Sequence, residues 1–238
     1  MNKSAIIPLS GGLDSTTIAY IMKYERGIED LHLISFNYGQ RHSVELDFAN
    51  YVSAKLESKS HQIIDLDFFP QISTNSALTN DDVGVPDMKD VLGHPQPPTY
   101  VPFRNQLLLT ICCSYAETMK SNIVCHGAAE IDTHSGYWDG SIEFIENMNK
   151  LLNLNRSHKI TLEAPLIKMS KAEIITKALE LGADLSRTWT CYNPPVWDVT
   201  PISCGKCPSC SSRIQGFIEA GVKDPMEYVI DIDWETLI

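Results

Sequence analysis

No stretch of this 238-residue chain approaches the ~18 consecutive apolar residues of a membrane-spanning helix, and no basic segment followed by a hydrophobic one begins it. Neither a membrane span nor a secretory signal is therefore expected, and the cytoplasm is the expected compartment. Positive charge is scarce as well. Nineteen lysines and arginines stand against 30 aspartates and glutamates, a net charge of −11. That balance opposes extended contact with a phosphate backbone and disfavours a nucleic acid as direct partner. Repeats, low-complexity tracts and linkers are absent, so residues 1–238 read as one domain, long enough to bury roughly 70–75% of its unfolded surface. In a reducing compartment the seven cysteines point to metal binding or reactivity rather than to disulfides.

What is present begins with AIIPLSGGLDSTT at residues 5–17. Residues 5–9 form an apolar run with the character of a buried strand, and in residues 15–26 Ile18, Ile21 and Met22 share a helical face. Gly11 and Gly12 thus sit between strand and helix, where missing Cβ atoms and the unpaired N–H groups of a helix start make an anion cradle. Ser10, Ser15, Thr16 and Thr17 add hydroxyl donors, and Asp14 suits a phosphate accompanied by a divalent cation. A nucleotide-binding loop over Leu9, Ser10, Gly11, Gly12, Leu13, Asp14, Ser15, Thr16, Thr17 and Ile18 is the expectation. The alternative is a tight turn capped by Asp14 or Ser15. The motif is neither a P-loop, since no lysine follows the glycines, nor the spaced glycines of a dinucleotide fold.

Strand and helix patterns then alternate. Residues 31–38 are apolar, Val44, Phe48, Val52 and Leu56 are four apart, and residues 61–69 carry IIDLDFF. Residues 104–119 read as a helix, 122–126 as a strand, 143–152 as a helix and 159–162 as a short strand. Residues 170–181 form a helix with a capping box at Ser170 and Glu173 and a stop at Gly182. This alternation predicts an open, mostly parallel, doubly wound α/β sheet, with ligands at the carboxyl ends of the strands. Residues 70–99, rich in Asn, Asp, Pro and Gly, are expected to form a mobile lid.

Near the C-terminal end, Cys191, Cys204, Cys207 and Cys210 follow a C-x12-C-x2-C-x2-C pattern, with Gly205 and Pro208 in the turns. Four such thiolates suit a closed structural zinc site, with an iron–sulfur cluster or a redox pair as alternatives. Residues 188–225 are accordingly expected to form a zinc-stapled helical tail. Cys112, Cys113 and Cys125 lie in apolar segments and read as buried small hydrophobes.

The SGGxDS loop resembles the signature of the N-type ATP pyrophosphatases, the PP-loop superfamily. SGGLDSTT, FNYGQRH, SALTNDDVGVP, TYVPFRN, SGYWD, LSRTWTCYN and CGKCPSC, in that order, resemble the QueC-type 7-cyano-7-deazaguanine synthases across residues 5–225. The resemblance implies ATP-dependent conversion of 7-carboxy-7-deazaguanine and ammonia to the nitrile, through an adenylated carboxylate and an amide, in queuosine or deazaguanine-modification chemistry. It also implies magnesium with ATP, structural zinc and a homodimer. On this reading Asp14, Arg41, His42, Arg104 and Lys171 are catalytic candidates. Arg41 and Arg104 would hold carboxylate or phosphate through planar donors, and Lys171 would meet phosphate. His42 is a base, a phosphate donor or a satisfied loop histidine, and His126 is structural. Tyr38, Tyr137 or Trp138 would stack on the deazapurine, and Gln40, Asn105, Asp132 and Asp139 would read its polar edges. The chain departs from the family pattern at Asn37, where aspartate is usual, and at Trp138, Gly140 and Ser141, which replace proline, cysteine and arginine. The alternatives are a variant that stops at the amide or takes another deazapurine acid, a tRNA-thiolating PP-loop enzyme, and a non-catalytic nucleotide-binding partner protein.

Overall fold

The computed structural model describes residues 3–92, 96–129, 137–197 and 200–238. Five strands, β1 (Ser4–Pro8), β2 (Asp30–Asn37), β3 (Ser60–Asp65), β4 (Ile123–Cys125) and β5 (Thr161–Glu163), form one sheet in the order β3-β2-β1-β4-β5. Every pairing in it is parallel. The principal helices are α1 (Leu13–Tyr20), α2 (Glu45–Lys55), α4 (Arg104–Met119), α5 (Ile142–Leu152), α6 (Lys171–Glu180) and α7 (Pro208–Glu219). Short helices α3 (Phe69–Ile72) and α8 (Trp234–Leu237) and a small hairpin, β6 (Val196–Trp197) with β7 (Pro201–Ile202), complete the elements.

Both faces of the sheet are covered because the central strands are apolar on both. Ala5 and Ile7 of β1 join one core with Leu31 and Leu33 of β2, Ile18 of α1, Ile174 of α6 and Phe217 of α7. Ile6, pointing the other way as strand geometry requires, joins Ile34, Phe36, Leu109 of α4 and Phe144 of α5. The expected doubly wound sheet is therefore present. Order reverses between β1 and β4, and this switch point opens a crevice at the carboxyl ends of the strands.

The helix expected over residues 15–26 starts earlier and ends as a π-helical segment, Ile21–Glu25. Ser170 and Glu173 form the expected reciprocal cap of α6. Within residues 70–99, the described part is held by side-chain and backbone bonds. Met88 N–H donates to the Lys206 carbonyl at 2.9 Å, and Val85 packs on the cluster containing Cys191, Cys207 and Cys210. No helix among the described residues is long and apolar enough to cross a membrane.

Candidate active site

Pro8 ends β1, and the chain turns sharply through Gly11 into α1. Gly11 has φ +74°, and a Cβ there would lie 2.3 Å from the Glu45 carbonyl oxygen and 2.7 Å from the Ala49 nitrogen. Its role is thus to let the loop lie against α2, whereas Gly12 faces the crevice. Ser10 and Ser15 bond each other through their hydroxyls at 3.0 Å, and Ser15 Oγ donates to the Gly12 carbonyl at 3.2 Å. Leu9, Ser10, Leu13, Asp14 and Ser15 line the crevice beside Gly12. Thr16, Thr17 and Ile18 are buried, and Thr17 Oγ1 donates to the Leu13 carbonyl at 2.8 Å, so these three support the loop from within.

Two adjoining cavities occupy the crevice. The smaller, about 340 Å³, lies over the glycine loop and reaches Phe36, Tyr38 and Glu45. The larger, about 680 Å³, is walled by Met88, Thr99, Tyr100, Tyr137 and Asp139. Asp14, Arg104, Asn105, His126, Lys171 and Tyr192 line both, and so mark the seam between them.

At that seam Lys171 Nζ lies 2.9 Å from each carboxylate oxygen of Asp14. The pair joins α6 to α1, elements 157 positions apart in sequence. Gly216 of α7 makes room for it, because a Cβ there would fall 2.3 Å from Lys171 Cγ. Arg104, the first residue of α4, donates from Nη1 to the Tyr38 hydroxyl at 3.1 Å and from Nε to Asn105 Oδ1 at 3.3 Å. Burial works against its charge, but Tyr38, Tyr192 and the Asp139 carboxylate hold its pKa above the ordinary value. No carboxylate of the described residues forms an ion pair with it, so this cation can receive an anion.

His42 and Glu45 lie deep in the smaller cavity, His42 Nε2 3.5 Å from Glu45 Oε2. Burial lowers the histidine pKa to about 3 and, despite the Gln40 hydrogen bond, raises that of Glu45 to about 8. Both are uncharged near neutrality. His42 Nδ1 is buried with no hydrogen-bond partner among the described residues. As a neutral imidazole it is a local donor or acceptor and not a cationic phosphate clamp.

Two other candidates point elsewhere. Gln40 accepts from Tyr38 N–H at 2.7 Å and donates to the Phe36 carbonyl and Glu45, fixing the turn after β2. Arg41 donates to the carbonyls of Asn80 and Val83 and pairs with Asp81, holding residues 80–83 rather than lining either cavity. Asp132 lies outside the described residues. His126 donates Nε2–H to the Asp139 carbonyl at 2.8 Å while lining both cavities.

The departures from the family pattern acquire local roles. Asn37 donates from Nδ2 to Asp65 across β2 and β3 at 2.8 Å. Ser141 caps α5, accepting from Phe144 N–H at 3.1 Å. Trp138 donates to the Tyr100 hydroxyl at 3.0 Å. Tyr100, Tyr192, Glu45 and Gly216 belong to the site although they were not singled out in the sequence. Tyr100 and Tyr192 stand inside the quoted stretches TYVPFRN and TCYN, whereas nothing local marks Gly216.

The sulfurs of Cys191, Cys204, Cys207 and Cys210 lie within 4.8 Å of one another. Zn–S bonds of about 2.3 Å in tetrahedral geometry place sulfurs about 3.8 Å apart, and Cys204 and Cys210 are 3.9 Å apart. N–H groups of Cys204, Lys206 and Cys207 point at cluster sulfurs at 3.4 Å, as thiolates require. The donor set fits one zinc ion. The centre is tied to the loop: Trp189 N–H donates to the Gly11 carbonyl at 2.9 Å, and Trp189 Nε1 to the Cys191 carbonyl at 2.9 Å.

A parallel sheet ordered 3-2-1-4-5, with a glycine loop at its switch point and an acid–lysine pair beside it, defines a doubly wound α/β protein with its ligand crevice at the carboxyl ends of the strands. The family model described as "Queuosine biosynthesis protein QueC" matches residues 4–221, and the chain belongs to that family. The 7-cyano-7-deazaguanine synthase of Caldicellulosiruptor bescii is 41% identical, covering 97% of this chain and 99% of that protein. The one from Caldicellulosiruptor saccharolyticus is 39% identical, covering 97% and 98%. Among solved structures, the U34-tRNA thiolase NcsA from Methanococcus maripaludis matches with a TM-score of 0.48 and 18% identity, covering 77% of this chain and 59% of that one.

Proposed function

We propose that the chain is an ATP-dependent 7-cyano-7-deazaguanine synthase. The observation that carries this reading is the seam at which two cavities meet over Asp14, Lys171 and Arg104. ATP occupies the smaller cavity, with phosphates over Gly12 and the start of α1. The deazaguanine acid occupies the larger, its carboxylate directed to Arg104. Tyr137 offers its ring and Asn105 and Asp139 their polar groups.

A carboxylate is a poor electrophile until one oxygen becomes a leaving group. Its oxygen attacks the α-phosphorus of ATP and pyrophosphate departs. Ammonia then displaces AMP and, after losing a proton, leaves the amide. The amide oxygen attacks a second ATP, pyrophosphate departs again, the adenylated amide loses one N–H proton, and loss of AMP with the second N–H proton gives the nitrile. The protein's task is alignment and charge stabilisation. Lys171 follows the phosphate charge, Arg104 orients the acid, and Tyr38 holds Arg104. Magnesium bound with the triphosphate supplies further charge neutralisation, and Asp14 is the carboxylate suited to hold it. Cys191, Cys204, Cys207 and Cys210 would hold zinc, which closes the tail and leaves no open position for chemistry.

Sulfur transfer fits less well. Burial raises the thiol pKa of Cys113 to about 11 and those of Cys112 and Cys125 further, leaving no reactive thiolate among them. The reading includes free ammonium as nitrogen source and a cytoplasmic homodimer. Substrate carrying ¹⁸O in both carboxylate oxygens tests the route. Each of the two AMP molecules should carry one labelled oxygen; label in inorganic phosphate would replace adenylation by phosphorylation.

A further inference from the structure

The wall of the larger cavity is built from two segments far apart in sequence. Thr99 and Tyr100 supply one part, Tyr137 and Asp139 the other. The rings of Tyr100 and Tyr137 stack with centroids 5.9 Å apart and planes 23° apart, and Thr99 Oγ1 bonds the Tyr137 hydroxyl at 3.0 Å. Behind this pair stands Trp138, which does not line the cavity. Its Nε1–H donates to the Tyr100 hydroxyl at 3.0 Å, and the same oxygen accepts from Phe103 N–H at 3.3 Å. The indole meets Phe103 edge-on at 5.3 Å and Phe144 of α5 at 5.4 Å.

Phe103 is itself constrained. It adopts φ +53°, an uncommon conformation for a bulky side chain, at the position where the chain enters α4 and Arg104. Its ring is 61% exposed, so burial in the core does not hold it there. Trp138 contacts it on the side that carries Tyr100. One indole thus touches α5, the left-handed residue before Arg104, and the hydroxyl of a cavity-wall tyrosine.

We infer that Trp138 is a positioning residue which locks the Tyr100–Tyr137 pair and the start of α4 into the wall that receives the planar heteroaromatic substrate. The inference rests on the function proposed above. Trp138 acts through Tyr100 and Phe103, and through Phe103 it sets the entry of Arg104 into α4. Loss of the indole loosens the wall and the start of α4 while leaving the glycine loop in place, because none of its contacts reaches that loop.

The test compares Trp138→Leu and Trp138→Phe with the wild-type enzyme by steady-state kinetics and by amide hydrogen exchange without substrates. Removing one aromatic contact set and one hydrogen bond should raise KM for the deazaguanine acid about ten-fold in Trp138→Leu, with KM for ATP nearly unchanged. Exchange should accelerate at residues 99–104 and 137–140 and stay unchanged in β1 and β2. Trp138→Phe, which keeps a ring but loses the donor, should fall between. Equal changes in both KM values, or unchanged exchange in Trp138→Leu, would overturn the inference. Wild-type enzyme that does not turn over the deazaguanine acid would instead refute the proposed function, and the exchange comparison would still decide the lock.

Discussion

Burial pushes the Glu45 carboxyl group well above the ordinary range. Its pKa of about 8 stands against an ordinary 4.5 because it is buried, while His42 beside it is held near 3 against 6.5 for the same reason. The unfolded chain ionises Glu45 from 4.5 upward and the folded chain only near 8, so this residue lowers stability as pH rises through that interval. His42 lowers it as pH falls from 6.5 toward 3. Urea denaturation of Glu45→Gln should remove the stability loss that Glu45 contributes between pH 4.5 and about 8 and leave the loss from His42 below 6.5 in place; an unaltered pH profile between 4.5 and 8 would mean that Glu45 is ionised in the fold. Asp14→Ala, at a side chain 34% exposed, should stay folded yet lose nucleotide turnover, and undiminished turnover would remove Asp14 from the chemistry. At this scale the sequence exposes residues that stand within a short motif and line the crevice, such as Asp14 and Arg104. It hides those that act by contact: the freedom of Gly216 matters only because Lys171, 45 positions earlier, crosses it. The motif around Gln40 and Arg41 is legible, but only the fold shows that both side chains serve the loops around them.

Among the elements, α7 links the cysteine cluster to the crevice. Arg213 on α7 is 3% exposed and forms two bonds to Asp224, at 2.7 and 2.9 Å, while also reaching Thr188, Thr190 and the Leu185 carbonyl. The Tyr228 hydroxyl and Met226 N–H donate to the same carboxylate. Removing one partner strands a buried charge, so Asp224→Ala should cost about 3–5 kcal/mol in chemical denaturation. A loss below about 1 kcal/mol would place the pair among exposed ion pairs of little weight. Metal analysis should find about one zinc per chain, and a strong chelator should remove it together with exchange protection at residues 188–192. Iron with sulfide would contradict the zinc assignment. The long α4 and the capped α6, with its box at Ser170 and Glu173, were readable from the sequence. Short elements α3, α8, β6 and β7 were not, because tertiary contacts rather than local pattern decide such pieces.

At the scale of the whole molecule, alternating apolar runs and amphipathic segments were enough to give a doubly wound sheet and to place the glycine loop at its carboxyl end. The division of the crevice into two cavities was not readable, since it depends on where residues 88–92, 97–104 and 137–140 lie over the sheet. In the proposed function that division serves the two-substrate ligation, with nucleotide on one side of Asp14 and Lys171 and an aromatic acid on the other. The most direct test is an end-point assay by mass spectrometry with 7-carboxy-7-deazaguanine, ATP, magnesium and ammonium. The account predicts the nitrile, 7-cyano-7-deazaguanine, with AMP and pyrophosphate; accumulation of the amide alone, or no product while ATP binds, would contradict it.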